Sequence, residues 1–148
     1  MYGAQTPEPD RASLAAALRE LEAAKARVER SARLVADDMR KQLIEKLLPV
    51  FDNLDRSIAA AEASGEAPAI VEGTRLVRGQ LEEVLRGYGV ERLDAQDQGF
   101  DPAIHDAVAT VPVPSMDLHE TVLEQVAPGY RFGGALLRPA KVIVGLRR

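Results

Sequence analysis

The stretch SLAAALRELEAAKARVERSARLVADDMRKQLIEK, residues 13–46, contains neither proline nor glycine. Leu14, Leu21, Val28 and Val35 recur in it every seven residues, and Leu18, Lys25, Ala32 and Met39 form the companion row. A heptad of this kind lays one narrow apolar seam along a helix. The remaining faces are charged, whereas a helix in a globular core carries a wider apolar stripe. A seam this thin over roughly 30 residues does not fold in isolation. The pattern therefore predicts a helix paired with a second copy of itself. The alternative is a solvated, alanine-rich single helix. Asp10 and Ser13 are both good caps and mark the start. Residues 1–10, with Gly3, Pro7 and Pro9, show no period and read as a short disordered arm.

The pattern changes in QLIEKLLPVFDNLDRSIAAAE, residues 42–62. Leu43, Ile44, Leu47, Leu48, Phe51, Leu54 and Ile58 make a broader stripe, as in a bundle helix. Pro49 lies inside it, removes one backbone bond and clashes with the preceding turn, so a kink or a break with restart is expected there. The helix ends by SGEAP, residues 64–68. A further helix is predicted from about Pro68 to Arg86, with Ile70, Val71, Leu76, Val77, Leu81, Val84 and Leu85 as its apolar set. Gly73 and Gly79 inside it each cost about 1 kcal/mol relative to alanine, which suggests close approach of another surface. The helix stops at GYG, residues 87–89, where glycine takes a left-handed cap.

Beyond Gly89 the texture is that of strands. VERL (90–93), AVATVPV (107–113), TVLEQV (121–126), LL (136–137) and KVIVG (141–145) are the candidates. PVPS at 112–115, PGY at 128–130 and GG at 133–134 read as turns. Helices followed by a run of short strands predict an α+β fold. Its parts are an arm at 1–10, a long helix at 11–48, a helical-bundle segment at 49–88 and a small β-domain at 89–148.

Composition narrows the function. The 148 residues carry a net charge of −4 and no long basic block, which disfavours sequence-independent binding to nucleic acid. There is no cysteine, so disulfides and thiolate zinc sites are excluded and a reducing compartment, the cytoplasm, is expected. The N-terminus MYGAQTPEPD does not read as a signal peptide, and no apolar run approaches a membrane span. No P-loop, GxGxxG after a strand, GxSxG or HExxH is present.

GFDPAIHDAV, residues 99–108, holds one of only two histidines. His105 between Asp101 and Asp106 could serve as a base or a ligand, but no third ligand and no nucleophile accompany it. Asp101 is a cap type and Pro102 suits a first helical position. FDPAIH thus reads as one capped turn feeding a strand, with His105 closing that turn or bonding a neighbouring loop. No catalytic residue, metal or cofactor is expected.

Three stretches resemble one family. LLPVFDNLDRSI (47–58), GFDPAIHDAVATV (99–111) and GYRFGGALLRPAKVIV (129–144) are similar, in order and separation, to the motifs of GrpE, the nucleotide-exchange cochaperone of DnaK-type heat-shock chaperones. The resemblance implies a homodimer whose long helices pair, whose shorter helices form a four-helix bundle, and whose small β-domains dock on the chaperone's ATPase domain. Docking holds the nucleotide cleft open, so ADP leaves. No active site is implied. The long helices reach towards the substrate-binding end and melt reversibly with heat in some members.

By matching position, the resemblance assigns residues. Phe100, Asp101 and Pro102 fall in the loop that faces the chaperone, or only hold it. Arg138 makes an interface contact or an internal salt bridge. Gly73 matches a helix glycine near the partner, and Asn53 and Arg56 match the polar face of the bundle segment. Leu14, Leu18, Leu21, Val28, Val35, Met39, Phe51 and Leu54 are the dimerisation set. His105, Gly129 and Tyr130 are structural, the last two as a turn with a packed ring. The sequence departs from the family at Ala135, where a basic residue is frequent, and Arg131 is the candidate replacement. A coiled-coil scaffold or diverged paralogue without exchange activity, and a small hydrolase using His105 with Asp101, are the rival readings. Leu21→Lys is expected to weaken dimerisation by burying charge in the seam; an unaltered dimer in light scattering refutes pairing there.

Overall fold

A computed structural model describes residues 10–65 and 67–147. Helix α1 spans Arg11–Ser64 and helix α2 spans Pro68–Gly87. The strands follow as β1 (Val90–Leu93), β2 (His105–Pro112), β3 (Val122–Ala127), β4 (Gly129–Phe132), β5 (Ala135–Arg138) and β6 (Ala140–Leu146). The architecture is α+β. Among the described residues no helix is long and apolar enough to cross a membrane. The arm read over residues 1–10 lies, apart from Asp10, outside the described residues.

Asp10 starts α1. Its carboxylate accepts the Ser13 N–H at 2.7 Å and its carbonyl accepts the Leu14 N–H at 3.0 Å, which satisfies two of the free donors of the first turn. The chain divides into two compact units, Met1–Gln42 and Leu43–Arg148. In the first, Leu14, Leu18, Leu21, Val28, Val35 and Met39 are all exposed, Val28 at 68%. None of the described residues of this segment is buried.

Among the described residues, every buried one lies in the second unit. Helix α1 runs through Pro49 as helix, so the break and restart read at that position does not occur. Proline removes one bond and leaves the rest of the ladder intact. Ile44, Leu48, Phe51 and Ile58, on both sides of Pro49, are buried on one face. Tertiary packing thus holds the segment helical where local propensity opposes it. Ile44, Leu48 and Phe51 share a core with Leu85 of α2, Val90 of β1 and Tyr130 of β4. Leu47, Leu81, Phe132 and Leu137 close its rim.

Helix α2 begins with Pro68 at its first turn and ends at Gly87, capped by Tyr88, with Gly89 at φ 87°. A Cβ at Gly73 or Gly79 would meet nothing within 4 Å, so no surface among the described residues approaches either glycine.

The strands form two small sheets, β1–β4–β5 and β2–β6–β3. The first is antiparallel throughout. In the second, β2 runs parallel and β3 antiparallel to the central β6. Strand β4 corrects the reading of PGY as a turn: Gly129–Phe132 is the middle strand of its sheet. A four-residue strand led by glycine has no alternation to read, and its pairing with β1 and β5 decides it. Glycine is needed there because a Cβ at Gly129 would lie 2.7 Å from the backbone nitrogen of Ala140. A second core lies on the other sheet, where Ala95, Val122, Ala140, Val142 and Val144 are buried and Phe100 packs against them.

Gly145 is the tightest backbone approach. A Cβ there would fall 2.3 Å from the carbonyl oxygen of Leu118, at the end of the 3-10 turn Met116–Leu118. Gly145→Ala is expected to cost about 1–3 kcal/mol, as overpacking does. Urea unfolding measures this, and an unchanged midpoint refutes it.

Candidate partner-binding surface

The turn at GFDPAIHDAV is built from its own backbone. The Ala103 N–H donates to Asp101 Oδ1 at 2.9 Å, and the N–H groups of Ile104 and His105 donate to the Asp101 carbonyl at 3.1 and 2.8 Å. The Asp101 N–H donates to His105 Nδ1 at 3.0 Å. That nitrogen is therefore an acceptor and carries no proton. His105 is 5% exposed, with its ring centroid 6.0 Å from that of Phe100. Phe100 is half-buried and its N–H donates to the Glu120 carbonyl at 2.7 Å. The Ala140 N–H donates to the Ile104 carbonyl at 3.0 Å, which fastens the turn to β6. Asp101, Pro102 and Ala103 are left exposed on this fixed base.

A second group of charges ties α1 to the sheet β1–β4–β5. Arg138 ends β5 and donates to both oxygens of Asp52 on α1, at 2.6 and 2.7 Å. Its Nε and Nη2 also donate to the Pro128 carbonyl, at 3.1 and 3.0 Å. The guanidinium lies 5.1 Å from the centre of the Tyr130 ring. The hydrogen bond to Asp52 raises the Arg138 pKa above its ordinary value, against the opposing effect of burial. Asp55, one turn further along α1, accepts from Arg78 of α2 at 2.7 Å and lies 3.8 Å from Arg92 of β1. Arg78 also pairs with Glu82 and stands over the Phe51 ring at 5.9 Å. Burial alone would lower the Arg78 pKa, but the two carboxylates outweigh it and the net shift is upward.

The geometry redistributes the residues singled out from sequence. Arg138 is held in an internal salt bridge, so its guanidinium is not a free contact for a partner. Phe51, 1% exposed, belongs to the chain's own core and offers no side chain to a second copy. Leu54 is half-buried. Gly73, Asn53 and Arg56 are exposed, and Arg56 donates to Asn53 Oδ1 at 3.2 Å. Gly129 and Tyr130 lie in β4, and the Tyr130 ring is buried at 2% exposure against Phe51, the ring centroids 6.4 Å apart. Ala135 is exposed at the start of β5, and Arg131 sits 3.7 Å from its cross-strand neighbour Glu91. Sequence reading passed over Asp52, Asp55, Arg78 and Arg92. Their signal was faint: two aspartates three apart beside Phe51 on one helix. Among the described residues no group of three His, Cys, Asp or Glu side chains is placed to hold a metal ion.

Comparison with known proteins places this arrangement. The GrpE family model matches residues 10–145. The chain belongs to the GrpE family. Among its relatives, "Protein GrpE" of Latilactobacillus sakei subsp. sakei (strain 23K) is 36% identical over 104 residues, 70% of this chain and 52% of that protein. "Protein GrpE" of Bacteroides fragilis is 31% identical over 118 residues, 80% of this chain and 60% of the relative. That of Alcanivorax borkumensis is 38% identical over 110 residues, 71% and 57% of the two chains. The chain thus spans between half and three fifths of the length of these GrpE relatives. All three motif stretches fall inside the GrpE match.

Tyr130 yields a test of this region. Its hydroxyl is buried and has no hydrogen-bonding partner among the described residues. Burial, the largest cause, pushes its pKa up from 10.0 to about 12. The folded state therefore holds this proton more tightly than the unfolded state. The resulting stability is complete below pH 10 and is lost as the pH rises towards 12. Tyr130→Phe is expected to remove that part of the alkaline loss. At pH 7 it is expected to be neutral or stabilising by up to about 1 kcal/mol, since an unpaired buried hydroxyl is lost. Denaturant unfolding at both ends of the range checks it; a large loss at pH 7 refutes it.

Proposed function

We propose that this chain is an adenyl-nucleotide exchange factor, a homodimer that binds the ATPase domain of a DnaK-type chaperone and promotes release of ADP. The family match over residues 10–145 is the observation that carries this reading. In this reading residues 11–48 pair between copies, residues 49–88 supply the bundle, and residues 89–148 dock on the chaperone. The exposed seam of Leu14, Leu18, Leu21, Val28, Val35 and Met39 supports the pairing, since apolar rows at heptad spacing gain by mutual burial. The exposed tip at Asp101 and Pro102, on a turn fastened at Phe100, Ile104 and His105, supports docking by a fixed shape.

The mechanism is differential binding. A factor that binds the open cleft more tightly than the closed one shifts the cleft towards open. Linkage then lowers the affinity for ADP by the same factor by which ADP lowers the affinity for the exchange factor. Such work needs a rigid surface and no titrating pair. His105 Nδ1 is already committed to the Asp101 N–H, which gives the hydrolase reading no free base at that atom.

A coiled-coil scaffold without exchange activity is the second reading, favoured by Lys25 within the seam and by Ala135. Both readings give a dimer, so only nucleotide release separates them. Catalytic amounts of the full chain are expected to speed release of labelled ADP from the cognate chaperone, with ADP affinity falling by about tenfold or more. Unchanged release at saturating protein overturns exchange and leaves the scaffold.

A further inference from the structure

The chain passes between the two sheets of the β-domain three times, and the second and third passages, β3 to β4 and β5 to β6, form a double crossing. Pro128 lies between β3 and β4, and Pro139 lies between β5 and β6. Arg138 stands beside the second crossing and donates twice to the carbonyl of Pro128 in the first. Gly129 brings the two crossings together, its Cα side facing the Ala140 nitrogen and the Arg138 carbonyl. The same guanidinium grips both oxygens of Asp52 on α1. One side chain therefore ties two of the three passages between the sheets to the helix.

We propose that the Asp52–Arg138 pair is a positioning lock that fixes the β-domain against the α1 segment from Leu43 to Ser64, so that the exchange factor resists closure of the chaperone's cleft. The inference rests on the exchange reading above. The apolar core under the lock, Phe51 and Tyr130 with Ile44, Leu48, Leu85 and Val90, is non-directional and permits small rotations. A bidentate arginine–carboxylate pair fixes orientation as well as distance. Asp55 with Arg78 and Arg92 ties the helices and β1 together, and Arg92 bonds Asp94 in the first passage, but this group makes no bond to the Pro128 or Pro139 crossing. Orientation matters because exchange depends on a difference of affinities between two cleft states. A β-domain free to turn on the helix follows the cleft as it closes, binds both states, and loses the difference.

The test compares affinities of the full-length protein for the cognate chaperone, nucleotide-free and loaded with ADP. Wild type is expected to prefer the nucleotide-free form. Asp52→Asn and Arg138→Met are expected to keep helical content and dimerisation, and to reduce that preference by at least about fivefold. The reduction comes chiefly through tighter relative binding to the ADP-loaded form. The double variant is expected to be no worse than either single one, as for partners in one interaction. Arg138→Lys, which keeps charge but loses the fork, is expected to fall between. If Arg138→Met does not fold, the isosteric Asp52→Asn carries the test. A preference within twofold of wild type in the folded variants overturns the lock, and so does an equal loss of affinity for both forms. A wild type that does not discriminate between the two forms overturns the exchange reading and the lock with it.

Discussion

Phe51 of α1 lies against Tyr130 of β4, and the folded unit is organised around that contact. A chain with 4% aromatic residues has few large rings to bury, so each one it does bury carries a large share of the core. The contact explains why α1 passes through Pro49 without stopping. Residues on both sides of the proline are held in the same core, and losing one backbone bond does not release them. It also explains the surrounding charges. Arg78 covers the Phe51 ring, Arg138 covers the Tyr130 ring, and Asp55 and Asp52 on α1 hold the two guanidinium groups.

The chain keeps its apolar surface in two different forms. Beyond Leu43 part of it is buried within the chain in two cores, while Leu43 itself and Ile70, Leu76, Val77 and Val84 of α2 stay exposed. From Leu14 to Met39 it is laid out on one helix and left exposed. The first form makes a stable unit. The second gains nothing until another helix covers it. Folding of the C-terminal unit and burial of the seam therefore draw on separate sets of residues. Phe51 belongs to the first set only, despite standing in a bundle-like stripe.

The FDP turn illustrates how much a local pattern can carry. Asp101 and Pro102 are types that cap and start a turn, and the bonds from Ala103, Ile104 and His105 are made within five residues. Such contacts depend on neighbours in sequence, so they are legible there. The tie from Ile104 to Ala140 and the packing of Phe100 against the core that holds Val122 and Val142 depend on partners far along the chain. Nothing in GFDPAIHDAV announces them. Arg138 was similarly ambiguous. Its motif was readable, but whether it faced outwards or inwards depended on Asp52, 86 residues away.

The sequence by itself determined the long capped helix, the second helix from Pro68, the positions of five strands and the absence of a readable catalytic motif. These follow from period, capping and turn chemistry, which act over a few residues. Only the tertiary structure decided that Pro49 is tolerated, that Gly129–Phe132 is a central strand, and that Phe51 and Arg138 face inwards. Each of those outcomes comes from burial and pairing between distant segments. A helix stripe or a lone arginine has the same local sequence whether its partner is water, a second copy or its own chain.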